Sequence, residues 1–329
     1  MTPTKRLFSY DFFRGILMLG MIFAHVFYAF DAHAAFVERF FLWIPAGFVF
    51  FSGLVAGEVL WEKKSAWYFV RRAIQLLGIF IIANLFIVVV IKKGSFVHFP
   101  EDFFWGDQTS SSFEILVPIA LTMLLAPVLA RIPSSLGILW GILFLLTVDI
   151  FRMDGIFYSY NLQFLILGML GFFFGRESSL DSLRKSFPKL FPKANLVMLG
   201  LIFSLFVGSA YLDDGFFLSV FSFWTFQVAI ILGMFLGLPN IFNTRVNTPR
   251  PLIRRFFEPL GIFSLFLYLF HILVIQGVEF LMPQVVFDSS VWSVLLVMHI
   301  TILCFAIVKL IDQFSKSSPR FEKFFRFLF

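Results

Sequence analysis

RGILMLGMIFAH, residues 14–25, is a run of ten apolar residues held between an arginine and a histidine. In isolation it could be part of a buried core helix, but runs of the same kind recur to the end of the chain. About 20 apolar helical residues are needed to cross a bilayer. Stretches near that length lie at about 14–30, 41–60, 72–91, 113–130, 136–150, 157–175, 194–211, 217–238, 260–281 and 290–312. Composition agrees: of 329 residues, 60% are hydrophobic, only 14% are charged and 52 are Phe, which sets the chain apart from soluble domains. The sequence therefore predicts an all-α integral membrane protein, a bundle of about ten transmembrane helices in a single polytopic domain covering residues 1–329. The many Phe side chains are read as lipid-facing and inter-helix packing.

The net charge of +6 has two explanations, a nucleic-acid partner or topology. Its distribution decides between them. With the N-terminus inside, the inner segments hold twenty-one basic residues, including Lys5, Arg6, Arg14, Lys63, Lys64, Arg71, Arg72, Arg254 and Arg255. The outer segments hold only Arg39, Lys92, Lys93 and Arg152. This positive-inside bias places both termini in the cytoplasm and leaves no charge that calls for nucleic acid. The single cysteine, Cys304, lies in an apolar run, so no internal disulfide is available. MTPTKR, an apolar run and then DAHAAF imitate a cleaved signal peptide, but Arg14 and His25 inside the supposed apolar core favour a retained span. No repeat of 20–50 residues stands out, which weighs against a solenoid or a simple repeat transporter.

The ionisable residues inside the spans carry the functional reading, because lipid tolerates them only where they are partnered or used. Arg14 and His25 are eleven positions apart, three helical turns plus about 20°, so they share a face and stand roughly 16 Å apart along the axis. Arg14 could be a snorkelling anchor with Asp11 as partner, and His25 an inter-helix hydrogen bond. In GIFSLFLYLFH, residues 261–271, Ser264, Tyr268 and His271 fall at i, i+4 and i+7 and form one polar stripe. Each histidine lies about eleven residues from the cytoplasmic edge, so the two are expected at one depth. Two histidines without a neighbouring carboxylate in the same spans are weak evidence for a metal site, and none is expected. His299 is read as a core residue.

In FVFFSGLVAGE, residues 48–58, Gly53 and Gly57 are spaced for close helix packing, and Ser52 lacks the elbow of a nucleophile. RRAIQLL places Arg71, Arg72 and Gln75 at the cytoplasmic end of the third span, either as a positive-inside cluster or as a seat for phosphates. Asn84 is read as inter-helix glue. Glu114 and Asn161 lie near the outer ends of the fourth and sixth spans. Glu114 is either a carboxylate favourable to a helix N-terminus or a group that meets a hydroxyl arriving from outside.

YDFFRGILMLGMIFAH resembles the first-span signature of the membrane acyltransferase-3 superfamily, in which Asp-x-x-Arg-Gly leads to a histidine ten residues beyond the arginine. FVFFSGLVAG, RRAIQLL and SLFLYLFH are similar in kind and order to later segments of that superfamily. The likeness is closest to its periplasmic glucan succinyltransferase-like branch, with heparan-α-glucosaminide N-acetyltransferase-like proteins as relatives. The chain departs from the larger O-antigen-modifying members: it has no clear Ser-Leu-Ser-Val-Glu element, for which SSSFEIL with Glu114 is a loose counterpart, and no fused hydrolase-like domain.

The resemblance implies a multi-pass enzyme of the bacterial inner membrane that moves an acyl group from cytoplasmic acyl-CoA to a hydroxyl or amine of an extracytoplasmic carbohydrate. It implies His25 as general base; by the chemistry of the polar stripe, His271 or Tyr268 would then orient His25, stabilise the oxyanion or protonate the leaving thiolate. Arg14 would anchor the donor phosphates, with Arg71, Arg72, Gln75 and Ser52 on the donor side and Glu114 and Asn161 on the acceptor side. Acyl-CoA would be a co-substrate, with no permanently bound cofactor. The rival expectation is a transporter or flippase for a lipid-linked sugar or an organic anion, with the mid-membrane histidines as a proton relay.

Overall fold

The apolar runs fold as helices because in lipid a backbone must satisfy its polar groups within its own segment. The computed structural model describes residues 8–30, 43–60, 64–87, 115–151, 160–176, 231, 251–281 and 290–328. All regular structure among these residues is helical: α1 (Phe8–Phe30), α2 (Trp43–Val55), α3 (Ala66–Phe86), α4 (Leu116–Leu129), α5 (Ser134–Phe151), α6 (Tyr160–Arg176), α7 (Pro251–Ile262), α8 (Ser264–Leu281), α9 (Ser290–Ser317) and α10 (Pro319–Leu328). Among the described residues, four helical stretches are long and apolar enough to cross a membrane: Tyr10–Phe30, Ala66–Phe86, Ser264–Leu281 and Val291–Ser317. Four further apolar helices, in α2, α4, α5 and α6, are shorter. The described residues are thus all-α, and their apolar helices are those of a membrane protein.

The helices form two compact units. One holds α2 to α6, and its centre is the contact of α2 with α6. Glycines set that contact. A Cβ on Gly53 would run into the Gly168 carbonyl, one on Gly57 into the Phe172 carbonyl, and one on Gly171 into the Phe50 carbonyl. Backbones this close gain dispersion contact along both helices, the usual means of association where lipid removes the hydrophobic drive. Beyond Val55 the helix widens into a π turn, Ala56–Leu60, where Gly57 meets α6. Arg176, in the last turn of α6, donates through Nη1 to the carbonyls of Leu129 (3.3 Å) and Ile132 (3.1 Å), at and beyond the end of α4. It thus serves acceptors that a helix C-terminus leaves without partners inside the helix.

The other unit holds α1 and α7 to α10. Gly15 lies against the Phe257 carbonyl and Gly261 against the Asp11 carbonyl, so the beginning of α1 and the length of α7 touch backbone to backbone. Phe12 meets Phe257 edge-on at 4.9 Å. The stretch at 260–281, read from sequence as one span, is helical from Pro251 with a single turn residue, Phe263, between α7 and α8. Hydrogen bonds from Phe263 N to the Pro259 carbonyl (3.1 Å) and from Leu267 N to the Phe263 carbonyl (2.9 Å) carry the chain through. The stretches at 194–211 and 217–238 lie outside the described residues, apart from the helical, buried Ile231.

α9 buries one stripe, Ser293, Ile300, Cys304, Val308 and Ile311. His299 is not on it. Contrary to the core reading, His299 is exposed and its Nδ1–H donates to the Leu295 carbonyl of its own helix (2.7 Å).

Candidate functional site

α1 contains no proline and runs unbroken through both Arg14 and His25, so the two residues share one rigid helix. Arg14 is half-buried near its beginning, with Asp11 buried one turn earlier. α8 lies alongside α1. Its sequence places Ser264, Tyr268 and His271 on one stripe, and all three are buried.

His25 and His271 meet across these helices. Nδ1 of His25 is 2.9 Å from Nε2 of His271, and the rings are nearly parallel, 7° apart in plane with centroids at 5.1 Å. The far nitrogen of His271, Nδ1, is 2.8 Å from the Leu267 carbonyl oxygen one turn earlier. Tyr268 stands at 5.8 Å from the His271 ring, tilted by 53°. His271 is fully buried, whereas His25 is half-buried.

These contacts determine where the protons sit in the neutral pair. A carbonyl oxygen only accepts, so His271 carries its proton on Nδ1 and its Nε2 is a bare lone pair. His25 must then donate from Nδ1 to that lone pair. A neutral His25 therefore presents a lone pair at Nε2, and no protein partner for that nitrogen is found among the described residues. A proton acceptor of fixed orientation results.

The sequence singled out His25, His271 and Tyr268, and the structure brings these three together. Ser52 (half-buried, on α2) and Arg71, Arg72 and Gln75 (first turns of α3) belong to the other compact unit. There Arg71 is exposed and Arg72 and Gln75 are half-buried. Asn161 is the second residue of α6, two positions before the buried Gln163, and Glu114 lies outside the described residues. Asn84, read as inter-helix glue, is buried and donates to the Phe80 carbonyl of its own helix (3.2 Å). Among the described residues no group of three His, Cys, Asp or Glu side chains gathers as metal ligands would.

Sequence reasoning did not find the Leu267 carbonyl. Every residue carries such a group, so only the four-residue spacing to His271 on a helix could have signalled it. No family model matches this chain, and neither a curated protein nor a solved structure is found that matches it.

Proposed function

We propose that this protein is an acyl-CoA-dependent O-acyltransferase of a bacterial-type inner membrane. In this reading it spans the bilayer about ten times, with both termini in the cytoplasm, and moves an acyl group from cytoplasmic acyl-CoA to a hydroxyl of an extracytoplasmic carbohydrate. The observation that carries the reading is the His25–His271 hydrogen bond, whose proton order leaves His25 Nε2 as an oriented base. A neutral imidazole can take the proton of a hydroxyl as it attacks a thioester, an effect typically worth about 10² to 10⁴ in rate.

The sequence motif with Arg14 and His25 on one helix adds a second support. Roughly 16 Å of helix between them suits phosphates held by the guanidinium and a flexible arm carrying the thioester toward the imidazole.

The test uses the full chain in liposomes with a labelled acyl-CoA and a soluble glycan. Wild type is expected to release CoA and acylate the glycan. His25→Ala is expected to slow turnover about 10²-fold or more, and Arg14→Ala to raise KM for the donor far more than it lowers kcat. Full activity in His25→Ala would remove the base assigned here. A wild-type protein that cleaves no acyl-CoA while moving a sugar-linked lipid or an organic anion would establish the transporter instead, with the imidazole pair as its proton path.

A further inference from the structure

The geometry points to His271 as more than a support for His25: the two imidazoles act as one relay that moves two protons in a single step, with His271 holding the positive charge while the reaction intermediate exists. This inference rests on the acyl-transfer reading for its reacting groups and on the two hydrogen bonds for its route.

In the resting pair both rings carry their proton on Nδ1, because the Leu267 carbonyl claims the Nδ1–H of His271 and His271 Nε2 claims that of His25. As the glycan hydroxyl attacks the thioester carbon, its O–H bond breaks and an N–H bond forms at His25 Nε2. At the same moment the Nδ1–H of His25 passes to His271 Nε2 across 2.9 Å. His25 is then neutral with its proton on Nε2. His271 is an imidazolium with one N–H on His25 and the other on the Leu267 carbonyl, whose dipole favours a cation.

Collapse of the tetrahedral intermediate breaks the carbon–sulfur bond and completes the ester. The thiolate takes the proton from His25 Nε2, and His271 returns its extra proton to His25 Nδ1. The hydroxyl proton ends on the CoA thiol and the pair is restored. The same nitrogen thus serves as base and then as acid, while the charge waits one ring away from the reacting atoms. An ordinary hydrogen bond to a non-basic partner would orient His25 equally well but could not do this.

The discriminating variant is His271→Gln. A side-chain amide can accept from His25 Nδ1 and donate to the Leu267 carbonyl, yet it cannot take a proton. Single-turnover acyl transfer by the full-length protein in liposomes, measured across mixtures of light and heavy water, counts the protons in motion. Wild type is expected to give a curved dependence, with two protons contributing. His271→Gln is expected to give a straight line, a rate about tenfold lower and an unchanged KM for acyl-CoA.

A straight line for wild type, or a His271→Gln rate equal to wild type, overturns the relay while leaving His25 as base. Should wild type cleave no thioester with acceptor present, the acyl-transfer reading falls, and nitrogen-15 spectra of the histidine-labelled protein decide the pair by themselves. Neutral rings protonated on Nδ1 at both residues support the proton order, and an Nε2–H on His25 overturns it.

Discussion

The contact between α1 and α8 and the contact between α2 and α6 solve the same problem in opposite ways. Between α2 and α6, side chains are absent where the helices touch: Gly53, Gly57 and Gly171 let one backbone lie on another, and the interface is held by shape. Between α1 and α8 two polar rings are present, and their hydrogen bond satisfies groups that apolar surroundings would otherwise leave costly. A glycine contact is indifferent to chemistry and intolerant of volume. The imidazole contact is defined by where its protons sit, so the first suits a frame and the second a reactive centre.

That contrast can be broken at several points. The largest expected effect on stability is at Gly171, where even Ala would drive its Cβ into the Phe50 carbonyl, so that one helix must move. Gly171→Ala is expected to cost about 2–3 kcal/mol, read as a clear fall in melting temperature in detergent or nanodiscs. An unchanged melting temperature would mean that the close approach of α2 and α6 is wrong.

Arg176→Met comes next. It removes the donors to the Leu129 and Ile132 carbonyls while keeping most of the length, and a loss of about 1–2 kcal/mol is expected from acceptors left without a partner. Denaturant titration in micelles would measure it.

The histidine pair should contribute less to stability than to activity. In a double-mutant cycle of His25→Ala and His271→Ala, a coupling of about 0.6–2 kcal/mol is expected, the range for inter-helix hydrogen bonds in membranes. A coupling near zero in a folded protein would remove the contact.

The smallest effect is the sharpest control. A Cβ on Gly277, in the same helix as His271, meets nothing within 4 Å. Gly277→Ala is therefore expected to be neutral or to stabilise by up to about 1 kcal/mol through helix propensity alone. The opposite signs at Gly171 and Gly277 would show that packing, and not glycine content, is what matters.

Much of this was legible in the sequence. The apolar runs predict helices, and eight of the ten stretches meet described helices at nearly the expected places because burial of the backbone in lipid leaves few other options. The small-residue spacing at Gly53 and Gly57 pointed to a close contact, but the partner helix could not be read, since any of several apolar helices would satisfy the same pattern. The reading of His299 as core failed for a related reason. Apolarity runs almost all the way round α9, and a helix facing lipid shows little of the inside–outside contrast that marks a buried face in water.

The site was legible to a similar extent. Counting residues from the beginnings of the first and ninth spans put His25 and His271 at one expected depth, because the rise of a helix is constant. Depth is one coordinate of three. Rotation of each helix about its axis decided that the rings face each other at hydrogen-bond distance.

The sequence by itself determined the helical, membrane-type character of the described chain, the places of eight of its apolar helices, and which residue types lie along them. Only the tertiary structure decided which nitrogen faces which. The Leu267 carbonyl, present in every backbone and visible in no motif, sets the proton on His271, and through it the lone pair on His25. Helix periodicity is a local property of the chain, whereas the position of the proton on His25 depends on an acceptor that folding brings from 246 residues away.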